Sequence, residues 1–346
     1  MSDILEHEQI TEGKYPTKYL LYPRAGAEWL IVIFSAFAPP NGPLQHPYHH
    51  LKILDDVPVH RLYIQDTFGR SGVYYLCHHM DFGVADEVEA LIRRVQKDLG
   101  CDNAHTIPFG SSKGGSAALY FGLRLNLGHV FSAVPQFRIG TYLFNSNQTK
   151  HETLRDIIGV QDRESRMAML DMAIEQMLMT HRNTTLHVLT STGDEQYEEQ
   201  IVPFLKVLER EHIRDRHDIY FDERMKCHND VANRLKDFVN INLLKLLYGC
   251  EVSVRNNIQT VSRDNSASAQ YQVIYRYEKR DGTMEQHILE TGCCSVPIHQ
   301  IWYSEIIILK DGQEIWSFST SEWLENTVSV SFQQGGRWLG HVFFTK

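Results

Sequence analysis

A short apolar run, Thr106-Ile107-Pro108-Phe109, ends in Gly110-Ser111-Ser112-Lys113-Gly114-Gly115 and passes at once into Ser116-Ala117-Ala118-Leu119. Few arrangements accommodate that string. Glycines on both sides of Ser112 suit a tight turn in which side chains would clash with a neighbouring strand and helix. The layout predicts a strand, a sharp turn with the Ser112 hydroxyl projecting, and a small-residue helix whose N-terminus lies beneath it. A Gly-x-Ser-x-Gly string alone is weak. Its meaning depends on whether the rest of the chain supplies the surrounding sheet, an acid, a histidine and oxyanion donors.

The sheet is legible. Tyr19–Tyr22, Trp29–Phe34, His60–Ile64, His129–Val134, Leu186–Thr190 and Asp218–Phe221 read as strands, and several are apolar throughout, as expected of strands covered on both faces. Between them lie helical patterns. Val88, Leu91, Ile92, Val95 and Leu99 recur on one face of a helix from Ala85 that Gly100 stops. A Met-rich helix runs from about Arg163 to Met179 with Met167, Leu170, Ile174, Met177 and Leu178 in line, placed either as core packing or as a lid. Alternation of strand and helix from about Leu30 to Leu247 implies a mainly parallel sheet flanked by helices. After Gly249, Ser, Thr, Gln and aromatics replace helix formers, and the turn signals Asp281-Gly282 and Asp311-Gly312 fit hairpins. The expected organisation is a domain over residues 1–248 and a smaller antiparallel β-sandwich over 249–346.

A serine hydroxyl needs a base to take its proton and a carboxylate to hold that base. Such a triad can follow the chain order Ser, acid, His. Here Ser112, Asp194 and His228 occur in that order, each just after a strand. Each also has a plainer reading: a small turn residue, a helix N-cap (with Glu195 as the next carboxylate), and one of 18 histidines in a surface loop. The oxyanion donors would be the N–H of Lys113 and that of Ala36 or Phe37, in the loop after the early buried strand. The Lys113 side chain is expected to be solvated at the helix start, the alternative being a contact to an anionic substrate.

Other chemistries are disfavoured. The net charge of −9 and the lack of a basic tract argue against nucleic acid. No apolar run approaches the roughly 20 residues of a membrane span. The acidic start, Met1-Ser2-Asp3-Ile4-Leu5-Glu6, has no signal-like apolar region, and six irregularly spaced cysteines fit a reduced, cytoplasmic protein. His46-Pro47-Tyr48-His49-His50 and Cys77-His78-His79-Met80-Asp81 carry metal-ligand types without zinc-like spacing, so no metal and no cofactor is expected, though both loops could line a pocket. Gly-Lys-Ser and Gly-Lys-Thr are absent, so the turn is not a phosphate loop.

The strings Leu62-Tyr63-Ile64-Gln65-Asp66-Thr67-Phe68-Gly69, Phe109-Gly110-Ser111-Ser112-Lys113-Gly114-Gly115 and Ala133-Val134-Pro135-Gln136-Phe137-Arg138-Ile139-Gly140 together resemble the α/β-hydrolase superfamily. The likeness is to its bacterial surface-glycan members, the accessory-Sec glycan O-acetyltransferase and capsular polysaccharide biosynthesis proteins. It covers about residues 18 to 247. It implies a nucleophile at Ser112, an acid at Asp194, a base at His228, and acyl hydrolysis or acetyl transfer on a glycan, alone, as a homo-oligomer or within a biosynthetic complex. Relatives differ in their accessory β-domains, and here that domain is C-terminal, so its role does not carry over. Trp302, Trp316, Trp323 and Trp338 would serve it either as sugar-stacking platforms or as core. A peptidase or thioesterase on the same fold, and a non-catalytic glycan- or protein-binding module, are the alternatives.

Overall fold

The computed structural model describes residues 7–38, 47–180, 183–255, 258–264, 270–320, 328–334 and 337–344. The chain divides into two compact units, one of residues 1–54 and 59–219, the other of 55–58 and 220–346.

The first unit is built on a sheet. Strands β1 (Gln9–Ile10), β2 (Lys18–Tyr22), β3 (Leu30–Phe34), β4 (His60–Ile64), β5 (Thr106–Ser111), β6 (His129–Ala133) and β7 (Thr185–Thr190) lie in the order β1-β2-β4-β3-β5-β6-β7. β1, β2 and β4 pair antiparallel, and β4, β3, β5, β6 and β7 run parallel. Every residue of β3 and β5 is buried, which is why their sequences do not alternate. Helix α1 (Gly83–Leu99) buries Val88, Leu91, Ile92 and Val95 as its periodicity predicts, and Gly100 ends it at φ 71°. Helix α2 (Lys113–Arg124) follows β5 without a linker, and its residues Lys113 to Leu123 are all buried. Small side chains let it lie that close. A Cβ on Gly115 would stand 2.8 Å from the Ala133 carbonyl oxygen and 3.0 Å from Ser132 Oγ. One on Gly114 would overlap the Phe34 carbonyl.

Helices α3 (Ile139–Asn145), α4 (Gln148–Ile158) and α5 (Arg163–Thr180) sit between β6 and β7 in the chain. The Met-rich α5 buries Leu170, Ile174 and Leu178, whereas Met169 and Met172 are exposed and Met167 and Met177 only partly covered. The helix is fastened to α3 by Asp171, which accepts from the Thr141 N–H at 2.9 Å and the Thr141 hydroxyl at 2.6 Å. After β7 a π-helical turn (Tyr197–Ile201) leads into α6 (Val202–Arg210).

The second unit takes in part of strand β8 (Asp218–Asp222), a 3₁₀ segment (His228–Asn233) and helix α7 (Leu235–Tyr248), stopped by Gly249 at φ 61°. Beyond it come β9 (Cys250–Arg255), β10 (Ile258–Arg263), β11 (Tyr271–Lys279), β12 (Met284–Leu289), β13 (Gly292–Pro297), β14 (Ile301–Lys310), β15 (Gln313–Ser319), β16 (Val328–Gln334) and β17 (Arg337–Phe344). β13-β10-β9 and β12-β11-β14-β15 form two antiparallel sheets. Buried Gln259 ties them together, accepting from the Tyr275 hydroxyl at 2.7 Å. Both Asp-Gly signals make hairpins, β11–β12 and β14–β15. The last hairpin departs from the sequence reading: β17 pairs parallel with Tyr220–Asp222 of β8, outside the two antiparallel sheets. Trp316 is core, beside Tyr248, and Trp302 is 66 % exposed. Trp323 and the side chain of Trp338 lie outside the described residues.

The close approach of α2 to β3 is testable. Gly114→Ala is expected to lower the stability of the chain by about 1–3 kcal/mol through overpacking against Phe34. Urea unfolding followed by circular dichroism reads the loss; an unchanged midpoint would mean the helix can move away at no cost.

Candidate active site

Ser112 occupies the turn between β5 and α2 with φ 54° and ψ −122°. That region is sparsely populated by residues with a side chain and costs on the order of 1–3 kcal/mol. It persists because both flanks are fixed. The Ser112 N–H donates to the Ala133 carbonyl at 2.8 Å, and the Ser112 carbonyl accepts the Ser116 N–H at 3.0 Å. A Cβ on Gly110 would collide with the Gly114 backbone, so the turn closes only with glycine there. Ser111 points to the other side and contacts His50 Nε2 at 3.2 Å through its Oγ.

The Ser112 hydroxyl accepts a hydrogen bond of 2.8 Å from Gln136 Nε2. Gln136 is fully buried and held at both ends. Its backbone N–H donates to Ser116 Oγ at 2.9 Å and its side-chain oxygen accepts from the Tyr74 hydroxyl at 3.3 Å. The same Nε2 donates to Gln196 Oε1 at 2.8 Å. The Gln196 N–H in turn donates to Asp194 Oδ1 at 2.8 Å. A continuous hydrogen-bonded path therefore joins the turn after β5 to the loop after β7. Asp194 is 4 % exposed, while Glu195, the other carboxylate of this loop, is exposed. Within the first unit, then, Ser112 and Asp194 share one sheet edge, where ligands of open α/β sheets bind. Asp194 also serves the local capping role, since its carboxylate receives the N–H two residues on.

Ala36 and Phe37 follow β3. The preceding Ser35 N–H is held by the Tyr75 hydroxyl at 2.7 Å, and that hydroxyl donates to the Ile64 carbonyl at 3.0 Å, clamping the ends of β3 and β4. Phe37 packs edge-on to Tyr74, with centroids 5.5 Å apart, and lies 5.2 Å from Lys113 Nζ. Among the described residues no hydrogen bond engages the N–H groups of Lys113, Ala36 or Phe37. These are the backbone donors the sequence singled out for an oxyanion.

The Lys113 side chain corrects the expectation of a solvated ammonium. It is 3 % exposed and paired at 2.9 Å with Asp66, itself 1 % exposed. Asp66 also accepts the Val73 N–H at both oxygens, 3.0 and 2.9 Å. The Lys113 ammonium lies 5.3 Å from the Tyr75 ring. A helix that starts at the sheet edge, with its first side chain directed at the strand ends, leaves the lysine no route to water.

His228 belongs to the second unit. It opens the 3₁₀ segment after β8 and is half-buried. Asp230 closes the turn by accepting the Lys226 and Cys227 N–H groups at 2.7 and 3.2 Å.

Of the two metal-like loops, His46 lies outside the described residues, and His49 and His50 are beside the Ser112 turn. Burial, with Lys113 adding to it, pulls His49 down to about 4; burial and His49 pull His50 down to about 3. Both rings are neutral near pH 7. His78 and His79 stack on each other, and Asp81 is taken by Lys14 and the Gly83 N–H. Among the described residues no cluster of three or more ligating side chains could hold a metal ion. Sequence reasoning passed over Gln136, Asp66, Tyr74, Tyr75 and Gln196 as site residues. Their one signal was position, since Asp66 and Gln136 stand just past the C-terminal ends of β4 and β6.

No family model matches the chain, and no curated protein does. Solved structures do. A capsule O-acetyltransferase of Neisseria meningitidis serogroup A, a mutant in complex with CoA, aligns with TM-score 0.57 at 18 % identity, over 67 % of this chain and 93 % of that one. The Glycosylation Associate Protein (Gap123) complex from Streptococcus agalactiae aligns with TM-score 0.57 at 15 % identity, over 69 % of this chain and 46 % of the other. A puromycin-hydrolyzing peptidase of Mycobacterium tuberculosis aligns with TM-score 0.52 at 14 % identity, over 69 % and 39 %. At such identities the likeness is one of fold: the chain has the α/β-hydrolase fold, with smaller antiparallel sheets toward its C-terminus, and resembles surface-glycan members of that class.

The Asp66–Lys113 pair yields an expectation. Asp66→Asn leaves a buried ammonium without its counter-charge and should destabilise the chain by about 3–5 kcal/mol. The double variant Asp66→Leu, Lys113→Met should recover most of that loss in the same denaturation assay, because no charge is left buried.

Proposed function

We propose that the chain is a serine acyl enzyme, an esterase or acetyltransferase, that acts on an acylated glycan. The observation that carries this reading is the Ser112 turn: a serine held at φ 54° and ψ −122° between a buried parallel strand and a helix, against glycines that admit no other geometry. That turn presents the hydroxyl at the sheet edge. Enzymes with this fold among the matched structures, an acetyltransferase and a hydrolysing peptidase, support acyl chemistry as the class.

In the proposed reaction Ser112 Oγ attacks the acyl carbonyl while His228 takes the hydroxyl proton. Asp194 orients the imidazole and balances its charge. The assignment of His228 rests on chain order and on its place in the loop after β8. The carbonyl oxygen becomes an oxyanion, received by the N–H of Lys113 and that of Ala36 or Phe37. As the carbon–oxygen bond to the leaving group breaks, His228 returns the proton to it. The acyl-Ser112 ester is then released to water or to a sugar hydroxyl, with the proton passing again through His228.

The glycan assignment is drawn from the company of the fold, since a capsule O-acetyltransferase and a glycosylation-associated complex are among the solved structures it resembles. With it go a cytoplasmic setting, a catalytic domain over residues 1–248 with an accessory β-domain over 249–346, and assembly as a homo-oligomer or within a biosynthetic complex. Among the described residues no helix is long and apolar enough to cross a membrane.

A fluorophosphonate probe should label the wild-type chain at Ser112 and leave Ser112→Ala unlabelled. Turnover of an activated acetyl ester should fall by a factor on the order of 10³ or more in Ser112→Ala and in His228→Ala. Equal labelling of wild type and Ser112→Ala would remove Ser112 as the nucleophile.

A further inference from the structure

A second lysine reaches the site from outside the catalytic set. Lys150 stands in the first turn of α4, where its N–H is directed to the capping side chain of Asn147. Its ammonium sits 2.8 Å from the centre of the Phe37 ring. Lys113 Nζ is on the same ring at 5.2 Å. Two cationic heads thus converge on one aromatic side chain, in the loop that follows β3 and beside the Ser112 turn.

Their charges are not balanced alike. Asp66 is the partner of Lys113, and its oxygens also accept the Val73 N–H. No carboxylate among the described residues pairs with Lys150. The acids on its own helix are spent elsewhere: Glu152 receives Arg70 Nη1 at 2.6 Å and Asp156 receives the Arg70 N–H at 2.8 Å. Burial, and then repulsion by Lys113, bring Lys150 down to about 7. A neutral imidazole adjoins them. His49, whose N–H contacts Ser35 Oγ at 3.3 Å, lies within electrostatic reach of Lys113, and its Nδ1 is buried with no hydrogen-bond partner among the described residues.

A half-buried ammonium without a counter-ion, next to a second ammonium and an unsatisfied imidazole nitrogen, is costly in an empty site. It is repaid when an anion enters, since charge-assisted hydrogen bonds strengthen away from water. We infer that Lys150, with His49 and Lys113 behind it on the Phe37 side of the Ser112 turn, forms a subsite for an anionic oxygen group, phosphate or carboxylate, carried by the substrate. The inference deepens the acyl-enzyme reading by giving its substrate a negative charge near the acyl carbonyl, and it rests on that reading only for the word substrate. The anion subsite itself stands on the placement of the two ammoniums and the His49 ring alone.

The test separates the two. Inorganic phosphate, pyrophosphate and malonate are titrated by calorimetry into the full-length Ser112→Ala chain, which retains the subsite whether or not the chain is an acyl enzyme. At least one of these anions should bind, with an affinity that falls about tenfold in Lys150→Met and is largely kept in Lys150→Arg. Preference for the phosphates or for malonate names the anion's source. Absence of binding by all three, or binding that Lys150→Met leaves unchanged, overturns the subsite. A measurement on the unmutated chain guards against a folding defect. Acetic anhydride at neutral pH should acetylate Lys150, read by peptide mass spectrometry, and the bound anion should reduce that labelling at least about threefold while exposed Lys52 and Lys97 are labelled as before. Equal labelling of Lys150 with and without anion counts against the proposal.

Discussion

The turn at Ser112 is the constraint on which the rest of the first unit depends. A residue with a side chain is held at positive φ only where its surroundings leave no alternative. Here three parallel strands supply them. β3 brings the Phe34 carbonyl against Gly114, β6 brings the Ala133 carbonyl to the Ser112 N–H, and β5 puts Gly110 against the Gly114 backbone of the helix. Each contact requires the strand ends to be level and α2 to start without a linker. The small residues from Gly114 to Ala118 follow from that demand, because a helix forced so near a sheet has no room for longer side chains.

The same closeness explains the buried ion pair. The residue after Ser112 begins α2, and its side chain is driven toward the end of β4 rather than outward. A lysine there survives only with a carboxylate in reach, and Asp66 is two residues past Ile64, the end of that strand. Asp66 in turn draws in the Val73 N–H, which sets the path of the chain into the consecutive positive-φ residues Tyr74 and Tyr75. Those two rings then hold Gln136 and the Ser35 end of β3. One charge placed by the turn thus organises the loops after β3, β4 and β6.

What could be read from the sequence was what local pattern encodes. Continuous apolar runs gave the buried strands, the 3.6-residue period gave α1, and Asp-Gly pairs gave two hairpins, because each rests on neighbours close along the chain. Ser112 and Asp194 were legible as types in order. Gln136, Asp66 and the burial of Lys113 were not, since each depends on a partner tens of residues away. Lys113 shows the difference well: at a helix start its type suggests a solvated charge, and only the strand end opposite converts it into a core residue. The parallel pairing of β17 with β8 was hidden for the same reason, as an apolar alternating run does not say which strand it will meet.

Gln136 adds a directional argument to the chemistry at Ser112. An amide NH₂ can only donate, and its oxygen is already satisfied by Tyr74, so the nitrogen is what faces Ser112 Oγ. The serine oxygen is therefore an acceptor in that bond, and its own proton must point elsewhere. Both donor positions of the amide are used, one on Ser112 and one on Gln196, so the amide cannot rotate away without breaking the path to the Asp194 loop. Gln136 thus fixes the Ser112 hydroxyl through the same network that reaches the Asp194 loop.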